Sequence, residues 1–293
     1  MLLRVLPYIA KEKSLALKGG TAINFFHRDM PRYSVDIDLT YLPVKPRVQS
    51  LSDIATVINR LGDLIRTAVP GSRVTLQQGG NNPVKLLVRT ADAVVKVEPN
   101  TILRGSVFPP EMRTLCKSAI RIFEMSVRIN TLSVPDLFGG KICAALDRQH
   151  PRDLFDVQYI LRRKGITRKI KDAFLIYLIS HSRPIVELLR PNLKDIRATY
   201  RNNFEGMTRE ETSLKKLLDT RDLLIDEINK ALSGRDKEFL LSFKSGDPDW
   251  ELLSIKNARK LPAVQWKLDN IRRMSRPKHQ SARVELEKHL LSV

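Results

Sequence analysis

The residues best suited to chemistry in this chain are Asp36 and Asp38, which flank Ile37 in the segment YSVDIDLT at residues 33–40. Two carboxylates at alternate positions of a strand point to one side of it. Side by side they repel each other and are expensive to desolvate without a cation. An oxygen-only pair of this kind suits Mg²⁺, which keeps waters and bridges phosphate oxygens. The alternative is two solvated strand residues. Upstream, Lys18-Gly19-Gly20-Thr21 precedes an apolar run. Main-chain N–H groups at such a helix start can cradle a phosphate, although a glycine pair also serves as a plain tight turn. The GxxxxGK[ST] spacing of a Walker loop is missing.

Two further segments carry charge in a suggestive order. Lys96 and Glu98 alternate with Val97 in VVKVE, so both could face the aspartate pair; Glu98 would then be the third carboxylate of a two-metal site, or simply a surface residue. In GGKICAALDRQHPRDLFDVQYIL, Lys141 precedes an apolar run, and Arg152, Asp153 and Asp156 fall at helical spacings on adjoining faces. A lysine for phosphates and an aspartate to orient it or accept a proton are what phosphoryl transfer requires. An exposed helix junction with local ion pairs would read the same way.

The elements that must position these groups fall into two kinds. Residues 1–13 read as a helix, 15–17 as the strand or turn delivering the glycines, and 21–27 as the start of a buried helix. Residues 35–42 alternate as a strand with one acidic and one apolar face, and 50–68 show helical spacing. The β-branched runs at 73–78, 84–90 and 93–98 predict antiparallel strands, separated by Gly-Gly-Asn-Asn-Pro and Thr-Ala-Asp, and 120–129 adds a further strand. From Val134 the period becomes 3.6, predicting helices at 136–146, 152–163, 168–180, 193–202, 209–232, 235–244, 250–255 and 261–274. The tail at 272–289 is polar and basic, a solvated helix or a nucleic-acid arm. The expected fold class is α+β, with a mixed or antiparallel sheet in residues 1–130 and an α-helical domain in 131–293.

Composition narrows the partners. Of 293 residues, 42% are hydrophobic and 28% charged, as in a soluble globular protein. No apolar run approaches the roughly 18 residues of a membrane span, and the N-terminus makes a poor secretion signal. Cys116 and Cys143 are too few for a disulfide framework or zinc site, so a reducing cytoplasm is expected. Lysine and arginine outnumber aspartate and glutamate 51 to 32, a net charge of +19. That excess favours a polyanionic partner such as nucleic acid, with an acidic protein the other candidate.

Taken together, GGTAINFFHR, YSVDIDL, VKVE, GGKICAALDR and HPRDLFDVQYIL resemble the AbiEii nucleotidyltransferase toxin family, the toxin half of type IV toxin–antitoxin systems, which includes the MenT proteins. Its core is of the DNA polymerase β-like nucleotidyltransferase type. The resemblance runs from about Leu15 to Leu161, and GDPDWELL and LPAVQWKLDNI are similar to the family's helical end. It implies that Gly19, Gly20 and Thr21, with Lys18, form the phosphate-binding turn, that Asp36 and Asp38 hold Mg²⁺, and that Ser34 is the serine preceding them in the MenT branch. Lys141 matches the lysine that holds the incoming nucleotide, Asp156 the aspartate of the later motif, and Arg152 and Asp153 lie in the same block. Glu98 stands where many relatives carry aspartate, which keeps the charge and lengthens the reach.

The implied activity is Mg²⁺-dependent transfer of an NMP from an NTP to an acceptor hydroxyl. By the resemblance the acceptor is the 3′ end of tRNA, whose modification stops translation and growth, and a nearby AbiEi-like antitoxin is the expected partner. The alternatives are transfer to a protein or small-molecule hydroxyl, or an inactive nucleic-acid- or antitoxin-binding module.

Overall fold

The computed structural model describes residues 1–79, 82–163 and 165–293, with only the backbone described for Asn82 and Pro83. The expected Gly-Gly-Asn-Asn-Pro break therefore lies in part, at Gly80 and Asn81, outside the described residues. The chain forms two compact units, Met1–Ser133 and Val134–Val293. Among the described residues, no helix is long and apolar enough to cross a membrane.

The first unit is built on a mixed seven-stranded sheet. Helix α1 (Leu2–Ile9) leads into β1 (Leu15–Lys18), the single turn α2 (Gly19–Ala22) and a π-helical turn at Ile23–His27. There follow β2 (Asp36–Tyr41), α3 (Arg47–Ala68), β3 (Arg73–Gly79), β4 (Asn82–Arg89), β5 (Val94–Asn100), β6 (Glu111–Thr114), α4 (Lys117–Phe123) and β7 (Arg128–Thr131). The strand order is β3-β4-β5-β2-β1-β7-β6. β2 pairs antiparallel with β1 and parallel with β5, so it lies well inside the sheet. Its pleat sorts its side chains as the sequence pattern requires: Ile37 and Leu39 are fully buried and Asp36 and Asp38 half-buried on the other face. α3 covers β3 and β4 with Ile54, Ile58, Leu61 and Ile65, and Gly62 lets it approach Leu86, Leu76 and Val74.

The span 120–129, expected to be one strand, is instead the end of helix α4, a turn and the start of β7. α4 is capped from a distance: the Asp29 carboxylate accepts from the Ser118 main-chain N–H at 2.8 Å and from its hydroxyl at 2.7 Å. A cap supplied by a residue 89 positions away leaves no local signal. The helix stops at Glu124, which adopts a left-handed conformation with φ 50°.

The second unit is helical: α5 (Val134–Arg148), α6 (Pro151–Leu161), α7 (Arg168–Ser180), α8 (Ile185–Leu189), α9 (Arg197–Asn203), α10 (Leu214–Ala231), α11 (Gly234–Ser245), α12 (Pro262–Arg272) and α13 (Arg276–Ser292). The helix expected at 193–202 begins four residues late. The buried Gln149 side chain accepts from Lys194 N–H and donates to the Asn192 carbonyl, which holds that stretch extended without helical bonds. Residues 209–213 likewise remain outside α10, which starts behind its Ser213 cap. Only Trp250–Leu252 of the expected 250–255 helix forms, as a 3₁₀ turn. The basic tail is the helix α13.

α5 and α7 pack closely at Gly139, where an added Cβ would lie 2.8 Å from both Ala173 Cβ and the Phe174 nitrogen. Gly139→Ala should therefore lower the unfolding free energy by about 1–3 kcal/mol. In the same urea titration Gly234→Ala, whose Cβ would meet nothing within 4 Å, should be neutral or slightly stabilising.

Candidate active site

In the first unit, strand register assembles the charged groups. Asp38 stands opposite Lys18 on β1 and Glu98 on β5, and Asp36 stands opposite Lys96. The sheet thus brings Asp36, Asp38, Lys96 and Glu98 onto one face. Glu98 is an ion-pair partner of Lys96 at 3.0 Å and of Lys85 on β4 at 3.6 Å. Burial works against its charge, but the two lysines outweigh that and hold its carboxyl below the usual range. Lys96 is pushed up, chiefly by its hydrogen bond to Glu98 and also by the charges of Asp36 and Asp38. Asp36 and Asp38, by contrast, have no cation within ion-pair distance among the described residues.

The glycine turn closes on this face. Gly19 has φ +68°, and an added Cβ would lie 2.6 Å from Asp38 Oδ2. Gly20 is hemmed in by Arg32 and Ser34: an added Cβ would lie 2.5 Å from the Arg32 guanidinium and 3.3 Å from Ser34 Oγ. The buried Thr21 hydroxyl bonds the Asp36 carbonyl and lies 2.9 Å from Ser34 Oγ. Lys18, Gly19, Gly20, Thr21 and Ser34 are therefore gathered around the aspartate strand by direct packing and hydrogen bonds. Their proximity needs no side chain larger than hydrogen at residues 19 and 20.

In the second unit, Lys141 of α5 is buried, with its Nζ 2.8 Å from Asp153 and 3.2 Å from Asp156 on α6. Asp153 also accepts from Arg148 Nε and, at 3.0 Å, from Arg148 Nη2. Burial alone would raise the Asp153 carboxyl, but Lys141 and Arg148 hold it well below the usual range. Asp156 is fully buried. An ammonium has three N–H donors, and two are engaged here. Arg152 lies outside this cluster, half-buried and with no ion-pair partner among the described residues.

A comparison with curated proteins finds no match. Among solved structures, the MenT4 nucleotidyltransferase toxin of Mycobacterium tuberculosis H37Rv superposes with a TM-score of 0.63 at 15% identity, covering 92% of this chain and 91% of that one. That likeness shows the fold. The profile of the nucleotidyl transferase AbiEii toxin family, of type IV toxin–antitoxin systems, matches residues 1–270. The chain belongs to the AbiEii family. It is a nucleotidyltransferase toxin of a type IV toxin–antitoxin system, with a mixed α+β fold.

Within this AbiEii chain, three participants escaped the sequence reading. Arg148 ends the KxxAxxxR pattern that begins at Lys141, so its signal was present in the spacing. Lys85 could be found only once β4 and β5 were in register. Arg32 sits in a loop, and nothing in the sequence separates it from other basic residues. Among the described residues, no group of three or more His, Cys, Asp or Glu side chains is arranged to hold a metal. Asp36 and Asp38 share one strand face, and Glu98 beside them is tied to its two lysines.

α6 adds a pH-sensitive feature. Its cap is His150, whose Nδ1 accepts from the Arg152 N–H at 3.1 Å. Burial, with Arg152, Arg148 and Lys141 adding to it against Asp153, lowers this imidazole to about 4. The unfolded chain takes up that proton near pH 6.5. The contribution to stability is therefore full above pH 6.5 and is lost as the pH falls toward 4. Thermal midpoints measured at pH 6.5 and 4.5 should fall less in His150→Asn, which keeps the cap without the ionisation, than in the wild type.

Proposed function

We propose that the protein transfers an NMP from an NTP to a hydroxyl of RNA, with tRNA as the acceptor and Mg²⁺ as the metal. The observation that carries this reading is the Asp36–Asp38 pair: two half-buried carboxylates on one strand face, lacking an ion-pair partner among the described residues and backed by the Gly19 turn. Carboxylates with no ion-pair partner of their own, while Glu98 alongside engages two lysines, are suited to a divalent cation. Bound there, Mg²⁺ would neutralise phosphate charge and favour the attacking alkoxide. Asp36 and Asp38 are the proposed ligands. Glu98 is the third, reached by giving up one of its lysines.

The chain's own groups do the rest. Main-chain N–H groups of Gly19–Thr21, with Lys18, orient the triphosphate, and Ser34 holds Thr21 against the aspartate strand. In the second unit Lys141, fixed by Asp153 and Asp156, is the proposed phosphate-holding lysine by the family resemblance, with Arg152 in the same block. The acceptor oxygen attacks the α-phosphorus, the bond to the bridging oxygen breaks, and pyrophosphate leaves with the electron pair. Glu98, on the face of the aspartate pair, takes the hydroxyl proton. The net charge of +19 supports a nucleic-acid acceptor, and the family supports a cognate antitoxin, an AbiEi-like partner, and arrest of translation in the cytoplasm as the outcome.

Purified protein incubated with labelled NTPs and total tRNA should label RNA in a Mg²⁺-dependent way. Asp36→Ala and Asp38→Ala should each reduce labelling at least about a hundredfold, as expected when several kcal/mol of charge stabilisation are removed. Glu98→Gln should fall between these variants and wild type. Absence of any Asp36-dependent label on RNA would overturn the reading.

A further inference from the structure

The second unit carries a surface that the proposed chemistry does not use. From Lys256 to Arg283 the chain has eight exposed lysines and arginines and one carboxylate, Asp269. None of these eight has an ion-pair partner among the described residues. Surface cations elsewhere in this unit are commonly paired, as Arg183 is with Asp147 and Glu187 and Arg197 with Asp195. Other exposed cations of this unit, Arg162, Arg168 and Arg201 among them, also lack an ion-pair partner among the described residues, but in this segment eight such cations stand against one carboxylate.

An aromatic ring stands among them. Helix α12 buries Ala263, Val264, Leu268 and Ile271 and turns Trp266 outward, 45% exposed. The chain's other tryptophan, Trp250, packs on Phe239 and Phe243 at 5.8 and 6.4 Å, whereas Trp266 has no ring contact among the described residues. The exposure is not slack in the helix. Lys267, next in sequence and about 100° round the helix, is buried and donates to the Ser182 and Arg183 carbonyls at 3.2 and 2.7 Å. That anchor fixes the rotation of α12, so Trp266 is held outward. Along its exposed side Trp266 is followed by Asn270 and then Arg273, seven residues or about 10 Å further on. Arg259 and Lys260 precede the helix, and Arg276 opens α13.

We propose that this face of α12, with Trp266 at its centre and Lys260, Arg273 and Arg276 around it, is a docking surface for the acceptor RNA, an unpaired base stacking on the indole and flanking phosphates meeting the cations. This rests on the RNA reading of the function and adds to it the place where RNA is held. Stacking on an exposed ring is tolerant of base identity, and unpaired cations supply the salt-dependent part of the affinity. An acidic protein could use both the cations and the indole; the density of cations here and the net charge of +19 favour a polyanion.

The test measures binding without turnover. Fluorescently labelled total tRNA is titrated with full-length wild type, Trp266→Ala, Trp266→Phe and the Arg273→Ala/Arg276→Ala double variant over a salt series. Trp266→Ala should weaken binding about tenfold with the salt slope unchanged, and Trp266→Phe should recover most of that loss. The double variant should weaken binding and reduce the slope by about one to two. Asp36→Ala should bind as wild type does, and Mg²⁺-dependent NTP binding should be unchanged in the α12 variants. The proposal is overturned if the α12 variants match wild type in affinity and slope, or if they keep tRNA and lose only a purified acidic antitoxin. If wild type binds tRNA through this face but attaches no label to it, the transfer reading fails and the docking surface stands. If wild type binds no tRNA, both fall.

Discussion

The first unit depends on the register of β2 between β1 and β5. Side chains alternate along a strand, so a slip of one residue would exchange the faces, sending Asp36 and Asp38 into the core and Ile37 and Leu39 into water. Two carboxylates without partners in an apolar interior cost far more than a sheet pairing returns. The apolar pair therefore enforces the position of the acidic pair, and the same pairing brings Lys96 and Glu98 beside them. Candidate chemistry and folding specificity are two faces of one strand.

Charge is distributed unequally between neighbouring groups, and the inequality is informative. Glu98 has two lysines, and Lys141 has two buried aspartates with Arg148 closing the set. Breaking the buried Lys141–Asp153–Asp156 set would leave an uncompensated buried charge at a cost of about 3–5 kcal/mol. Asp36 and Asp38 are the exception. They hold like charges together with no ion-pair partner of their own, only the longer-range charge of Lys96, which is an arrangement suited to something the chain binds.

Much of this was legible in the sequence because it is local. The DxD alternation set both the strand and its two faces, and the change to helical spacing at Val134 announced the second unit. The spacing of Lys141, Asp153 and Asp156 was readable, although that Asp153 is the nearer partner of Lys141, and that Arg148 joins it, came from the fold. What escaped was tertiary: the cap of α4 comes from Asp29, and the extended stretch at 192–194 is held by Gln149. In each case a distant side chain satisfies main-chain groups that local pattern would assign to a neighbour. Strand propensity in 120–129 was outweighed by that cap.

The Asp29 bond to α4 has a consequence for how this region can vary. Residues 28–35 join the glycine turn to the aspartate strand, and Asp29 fastens the start of that loop to Ser118 while Thr21 and Ser34 fasten its end. Residues added between the ties can bulge outward at small entropic cost. Removing residues there would shorten a span whose ends are fixed, so this loop can lengthen more easily than it can contract.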